Sequence, residues 1–371
     1  MSLPLQSGVF FHLGENMDKP HPVIVSGKGN YLYIIDGRKI FDASSGAAVS
    51  SLGHGNKRIS KKITAHLKSG IPYACSTFWS NIPAEELSKA LILFTNGEMH
   101  KVYLCSSGSE ATEAGIKASL NYHFIQDRNT SRRIIISRDR SYHGNTIGAL
   151  SISGFASRKE PYIPLLMNNV YFVSSCYPYR QRYEGESDAA FNDRKAAELE
   201  ALILKLGAEK VSIFIAEPVV GAALGCVPFV PGYLKAMQTV CRKYGVLFMV
   251  DEVMCGMGRT GTLHVWQAEP GFTPDIQTMG KGLGVGYQPI GAMMISIDIF
   301  KAFSKSGQFV HGQTYEGMPV QAVAALEVLR IIQEKNLLLN VRKKGLYLEQ
   351  RLRSMLGDHP YVGDIRGRGL F

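Results

Sequence analysis

A lysine set among glycines is the first residue in this sequence with chemistry to offer. Lys281 lies in Thr278-Met279-Gly280-Lys281-Gly282-Leu283-Gly284-Val285-Gly286, a stretch with no other charge. A desolvated lysine gives up its proton readily and becomes a nucleophile able to form a Schiff base. A Walker-type phosphate loop is excluded, because position 275 is Asp and Gly282 stands where Ser or Thr must follow the lysine. Alone, the segment reads more simply as a flexible glycine loop carrying a solvated lysine. Thirty residues earlier, Asp251-Glu252 follows the apolar run Val246–Val250. Two carboxylates at the end of a buried strand need partners; a surface loop pair is the alternative.

Four further groups have usable types and spacing. Ser106-Ser107-Gly108-Ser109-Glu110-Ala111 separates a strand-like run from a helical stretch. Small residues at a helix start leave unpaired N–H groups at the positive end of the helix dipole, which suits a phosphate. An ordinary cap, with Ser109 capping and Glu110 in the first turn, uses the same letters. Ser141-Tyr142-His143-Gly144 places an aromatic beside a histidine, suited to stacking on a planar cofactor, although a core aromatic and a satisfied histidine are commoner. Glu217-Pro218 ends an apolar run, and Thr314, in His311-Gly312-Gln313-Thr314-Tyr315, is readable as a helix-entry residue. Gly256-Met257-Gly258-Arg259-Thr260-Gly261 is a literal G-x-G-x-x-G. Against a dinucleotide reading, acids intervene between strand and glycines, Thr262–Glu269 has no clean helical period, and Asp275 precedes a strand rather than ending one.

The elements that must position these residues alternate along the chain. Val102–Cys105, Ile134–Ser137, Val211–Ala216, Val246–Val250 and Ile290–Ile295 read as strands. Ser109–Phe124, Asp193–Leu206, Gly232–Tyr244, Val320–Glu334 and Leu337–Leu356 read as helices. Such alternation predicts an α/β fold with a mostly parallel sheet covered by helices, whose ligands sit at the carboxyl ends of the strands. Tyr31–Ile35, Asp36-Gly37 and Lys39–Asp42 form a hairpin signal, and Tyr361–Ile365 is expected to begin one more strand.

Bulk composition narrows the classes. Hydrophobic residues make 45% and charged residues 19% of 371, which excludes a disordered or fibrous chain. Glycine is 38 of 371, above the usual share of about 7%, so tight turns or close backbone approaches are many. The net charge of +10 suits anionic partners of any kind. No nucleic-acid motif accompanies the basic runs Lys57–Lys68 and Arg128–Arg140, so no nucleic-acid role is expected. Cys75, Cys105, Cys176, Cys226, Cys241 and Cys255 show no metal-like spacing and read as reduced thiols, which points to an intracellular protein. The N-terminus has no secretory pattern. The most apolar window, Val211–Val230, carries Glu217, Pro218 and Pro228, so a buried strand and turn are expected there and no membrane span.

Together and in order, SGSEAT, SYHG, AEPVVG, FMVDEVMCGMGRTG, MGKGLG, PIGA and HGQTYEG resemble the class III (fold type I) aminotransferases that use pyridoxal 5′-phosphate. Each motif is weak; seven in fixed order, with 30 residues from Asp251 to Lys281 and 33 more to Thr314, are specific. The resemblance runs from about Gly29 to the last residue. It implies an α/β large domain with a mostly parallel sheet and a smaller α/β domain. The chain would divide into an N-terminal small-domain segment (1–50), a cofactor-binding large domain (51–318), and long helices beginning a C-terminal small domain (319–371) that is incomplete relative to other members.

The resemblance also implies roles. Lys281 would hold pyridoxal phosphate as a Schiff base and then act as general base. Asp251 would pair with the pyridine nitrogen and keep it protonated. Gly108 and Ser109 would bind the phosphate. Tyr142 would stack on one ring face and Val253 would lie on the other. Glu217 matches an acidic residue near the substrate in several members. Thr314 would reach the phosphate of a neighbouring subunit, making the active unit a homodimer. The implied substrates are an amine donor (a primary amine or ω-amino acid) and a 2-oxo acid acceptor, and the implied location is cytoplasmic, with mitochondria also allowed. Met254 stands where many members have a Gln that bonds the ring hydroxyl, and Met cannot donate that bond. An inactive cofactor-binding remnant, or an aminomutase, decarboxylase or lyase using the same lysine, fits the same motifs.

Overall fold

The computed structural model describes residues 21–74 and 76–371. Cys75 and the first twenty residues of the 1–50 segment lie outside the described residues. Three antiparallel strands open the described chain, β1 (Ile24–Lys28), β2 (Tyr31–Ile34) and β3 (Lys39–Phe41). The expected Asp36-Gly37 turn joins the last two. Gly37 has φ +89°, a value glycine alone adopts without strain.

Seven strands then build the main sheet: β4 (Lys101–Cys105), β5 (Ile134–Arg138), β6 (Val170–Val173), β7 (Val211–Ala216), β10 (Leu247–Asp251), β11 (Ile276–Met279) and β12 (Gly291–Ile295). The short hairpin of β8 (Val219–Val220) and β9 (Val227–Pro228) stands apart from it. The spatial order is β4-β12-β11-β10-β7-β5-β6. All neighbours are parallel except at β12, which runs antiparallel to both β4 and β11. β7 and β10 are buried at every position, as both-sides-covered parallel strands must be, and so read as unbroken apolar runs.

Helices cover both faces. On one side, Ala114, Ile116 and Ala118 of α3 (Gly108–Gln126) and Ile299 and Phe303 of α6 (Ile297–Ser306) pack with Ile135, Ile213, Met249 and Ile276. On the other lie α1 (Lys57–Leu67), α2 (Ile82–Phe94), α4 (Asp188–Leu206), α5 (Tyr233–Lys243) and α7 (Pro319–Glu334), against Leu104, Ile136, Phe214, Phe248 and Val250. The long helix α8 (Leu337–Leu356) follows α7.

Two expectations change, and the argument against the dinucleotide reading holds. Tyr361–Ile365 is a turn followed by irregular chain, not a strand, and pairs with no strand among the described residues, so nothing there takes up a ladder of backbone bonds. α4 begins five residues before Asp193, at Asp188, capped by Ser187, whose side chain accepts the Ala190 N–H at 3.2 Å. Gly256–Gly261 lies in a run of turns, with a short 3₁₀ turn (Val265–Ala268) rather than an α-helix after it. The dinucleotide fingerprint therefore lacks the helix start that would hold a pyrophosphate. α1, α2, β1 and β6 were not foreseen from the sequence.

Candidate active site

The loops after β4, β5, β7, β10 and β11 converge at one edge of the sheet, the carboxyl edge. They enclose a cavity of about 180 Å³ lined by Ser107, Gly108, Ser109, Tyr142, His143, Gly144, Glu217, Ala222, Asp251, Val253, Met254 and Lys281. Seven residues singled out from the sequence thus meet there: Gly108, Ser109, Tyr142, Glu217, Asp251, Val253 and Lys281.

Asp251 and Lys281 are neighbours because β10 and β11 pair in parallel with Asp251 opposite Thr278. Two residues past Thr278 the chain turns at Gly280, and the next residue, Lys281, enters a 3₁₀ turn (Lys281–Leu283). Lys281 has φ +39°, in the left-handed region that a lysine adopts only at a cost, held where its amine meets the cavity. Asp251 is 3% exposed. Its Oδ1 accepts the Val253 N–H at 2.9 Å and the Thr278 hydroxyl at 3.3 Å, and its Oδ2 meets His143 Nδ1 at 2.8 Å.

Glu252, the second acid of the pair, points away from the cavity and solves its burial differently. Its two oxygens accept the backbone N–H groups of Val265 and Trp266, each at 2.8 Å. Burial pushes its carboxyl up to about 8, against the opposing pull of those two N–H donors.

The helix start after β4 is built for an anion. The cap is Ser107, not Ser109: its side chain accepts the Glu110 N–H at 3.2 Å. Glu110 Oε2 in turn accepts the Ser106 N–H at 2.7 Å. The N–H groups of Gly108 and Ser109 belong to the first turn and have no carbonyl within the helix to bond. A methyl group on Gly108 would sit 2.5 Å from Val253 Cγ1, and one on Gly280 would sit 3.2 Å from the same atom. Only glycine at 108 lets these three segments close up. Ser109 Oγ accepts the Asn145 N–H at 3.0 Å, tying the helix start to the Tyr142 loop.

Glu217 lines the cavity, yet its carboxylate is occupied. It accepts the Tyr142 N–H at 3.0 Å and the Gly221 N–H at 3.2 Å, and burial raises its pKa above the ordinary carboxylate value. Arg138, also buried, donates to the Glu217 carbonyl. Thr314 is not part of this cavity. It is exposed, on a loop held by Gln313 donating to Glu110 Oε2 at 2.9 Å and by Gly317 N–H donating to the Leu104 carbonyl at 3.1 Å. Ser107, His143 and Gly144 stood within the candidate motifs without a role of their own, Met254 was set against a Gln that bonds the ring hydroxyl, and Ala222 was passed over. The motif SYHG carried a signal for His143, whereas Ala222 has none in its local sequence.

The cavity lining combines what a flat, phosphate-bearing ring would need: a helix start with unbonded N–H groups, a buried carboxylate, an apolar residue, an aromatic and a lysine. Residues 13–371 match the family Aminotransferase class-III. An aminotransferase of Gibberella zeae is 45% identical over 95% of this chain and 70% of its own length. An uncharacterized aminotransferase of Schizosaccharomyces pombe is 43% identical over 94% of this chain and 76% of its own. Among solved structures, the omega transaminase from Pseudomonas jessenii in complex with PMP superposes with a TM-score of 0.88 at 35% identity, covering 94% of this chain and 77% of that one.

Proposed function

Because this chain belongs to the class III aminotransferases, which transaminate with pyridoxal 5′-phosphate, we propose that it moves an amino group between a primary amine or ω-amino acid and a 2-oxo acid, with Lys281 as covalent anchor and base. The observation that carries the reading is the meeting of Lys281, Asp251 and the Gly108–Ser109 helix start in one cavity of about 180 Å³.

The residues present fit the cofactor. The N–H groups of Gly108 and Ser109 would take the phosphate, and the Asp251 carboxylate would face the ring nitrogen. Val253 and Tyr142 would bound the ring, and Lys281 Nζ would hold the aldehyde carbon. When bound, the cofactor supplies the electron sink that lets a substrate carbon give up its proton. Lys281 Nζ, once free of the cofactor, takes that proton and redelivers it. Its glycine neighbours let Val253 and Met257 pack close, since a methyl at 280 or 282 would sit 3.2 Å from Val253 Cγ1 or 3.1 Å from Met257 Cβ. Asp251, met only by donors, stays an acceptor for a proton on the ring nitrogen. Glu217 keeps the Tyr142 and Gly221 backbones in place and so ties the two cavity walls to each other.

A homodimer is part of the proposal. Thr314 is exposed, as are the side chains of Phe78, Trp79 and Tyr315. Those apolar groups suit a second copy, whose phosphate Thr314 would reach. The free thiols at Cys105, Cys176, Cys226, Cys241 and Cys255 suit a reducing compartment such as the cytoplasm. No helix among the described residues is long and apolar enough to cross a membrane.

The test is a single-turnover assay on purified protein loaded with pyridoxal phosphate. Borohydride reduction should fix the label on Lys281, read by peptide mass. An ω-amino acid or primary amine donor should release its oxo product stoichiometrically. Protein that takes up no pyridoxal phosphate overturns the proposal. Labelling at Lys281 without release of any oxo product would leave the inactive-remnant reading standing in its place.

A further inference from the structure

The loop that carries Lys281 holds a strained backbone. Lys281 has φ +39° and Val285 has φ +44°, so two residues with side chains sit in the left-handed region close together, and the second is β-branched. The turns between them interlock. The Lys281 carbonyl accepts the Gly284 N–H at 3.1 Å and the Val285 N–H at 3.0 Å, and the Gly284 carbonyl accepts the Tyr287 N–H at 3.0 Å. A shift at Tyr287 is therefore felt at Lys281. Backbone of this kind persists only where its surroundings over-determine it.

Part of those surroundings is the N-terminal segment. The Tyr287 hydroxyl accepts the Asn56 N–H and donates to the Gly53 carbonyl at 3.3 Å. Among the described residues, no other side chain of 280–288 hydrogen-bonds to a distant segment. Both far ends of this tie are themselves fixed. Asn56 caps α1, its side chain accepting the Arg58 and Ile59 N–H groups at 3.1 and 3.4 Å. His54, next to Gly53, exchanges backbone bonds of 2.9 and 2.7 Å with Gly29, between β1 and β2, and its ring meets Asp42 Oδ2 at 2.9 Å. A methyl on Gly286 would sit 3.5 Å from Val49 Cγ1, so the two segments also touch there.

We propose that Tyr287 is a positioning residue for Lys281. Its hydroxyl ties the lysine loop to Gly53 and Asn56 and so holds Lys281 in its left-handed turn. The amine that meets the cavity is thereby set from the N-terminal segment, outside the cavity, as well as from the end of β11. The consequence for chemistry rests on the proposed role of Lys281; the tie itself does not.

Three measurements test it. Tyr287→Phe removes one oxygen and keeps the ring. In the cofactor-free chain, the Gly284 and Val285 amides should exchange with deuterium about tenfold faster in this variant, while the amides of β10 keep their native rates. Native rates at 284 and 285 overturn the proposal, and so does the same acceleration in β10, which would make the hydroxyl a general stabiliser. In protein loaded with pyridoxal phosphate, the pH midpoint of the cofactor's absorbance, which reads the proton at Lys281 Nζ, should move in Tyr287→Phe; an unmoved midpoint overturns the positioning role. Gly53→Ala acts from the other side, because its methyl meets the Gly29 carbonyl oxygen at 2.7 Å and displaces the Gly53 carbonyl. It should speed exchange at 284 and 285 and add little to Tyr287→Phe, since both break one tie; full additivity overturns it. If Gly53→Ala fails to fold, the first two measurements decide. Native protein that binds no pyridoxal phosphate defeats the proposed function, while the exchange rates still decide the tie.

Discussion

The buried carboxylate of Glu217 accepts the backbone N–H of Tyr142, 75 positions away in sequence, at 3.0 Å. Its other oxygen takes the Gly221 N–H at 3.2 Å. An acid expected near the substrate is thereby the clasp between two loops that wall the cavity, one after β5 and one after β7. Such a clasp serves the site through geometry, whatever else the carboxylate meets in the cavity that it lines.

Glu217→Ala should therefore strand two buried N–H groups. At about 1–3 kcal/mol for each unsatisfied group, the loss of stability should be about 2–5 kcal/mol. Pyridoxal phosphate affinity should fall with it, since Tyr142 moves with its backbone. Chemical denaturation and cofactor titration on the same preparation check both; a variant as stable as the native protein would show the clasp to be idle.

Gly108→Ala pushes a methyl group into Val253, 2.5 Å from Cγ1 and 2.9 Å from Cγ2. Overpacking of this kind costs about 1–3 kcal/mol. Cofactor affinity should drop as the helix start is displaced. Adding Val253→Ala should restore part of both losses, and a double-mutant cycle measures that coupling. Strict additivity would mean that the two residues do not press on each other.

Glu252 sets a pH signature. Its folded-state carboxyl is pushed up to about 8 by burial, from an ordinary value of 4.5. The folded state thus holds a proton that the unfolded chain releases, and stability is full at low pH and falls as pH rises toward 8. His123 and His264, lowered to about 4 by burial, act in the opposite sense below pH 6.5, and Asp275, raised to about 6, acts below that value. The window from pH 6.5 to 8 therefore isolates Glu252 among these groups. Stability should fall there by up to about 2 kcal/mol more in the native protein than in Glu252→Gln. Denaturation midpoints at the two pH values decide it, and equal slopes would reject it.

Thr314 bears on the assembly. If it reaches the phosphate of a second copy, Thr314→Ala should lower pyridoxal phosphate affinity about tenfold, the loss of one hydrogen bond to a charged group. Gln313→Ala, which frees the loop from Glu110, should do the same to a smaller degree. Equilibrium dialysis measures both, with sedimentation confirming that the oligomer persists. Unchanged affinity in Thr314→Ala would remove the threonine from the phosphate site.

Local chemistry in the sequence made the strand-ending acid Asp251, the small residues at Gly108 and Ser109, and the glycine-flanked Lys281 candidates, each beside a plainer reading, because strand, turn and helix start each leave their mark within a few residues; the fixed order of seven motifs, through the family resemblance, chose the chemical one. The alternation of apolar runs and helical stretches likewise made the α/β sheet legible, since fully buried parallel strands must be apolar throughout. What no local pattern contains is which strand lies beside which. Only the folded sheet sets Asp251 opposite Thr278, inserts β12 against the direction of its neighbours, and leaves Tyr361–Ile365 without a strand to pair. Only there do the two acids part company, Asp251 to His143 and Glu252 to two backbone amides, and only there does Glu217 join the Tyr142 loop to the Gly221 loop. A buried charge must find its partners wherever packing brings them, and packing is a property of the whole chain.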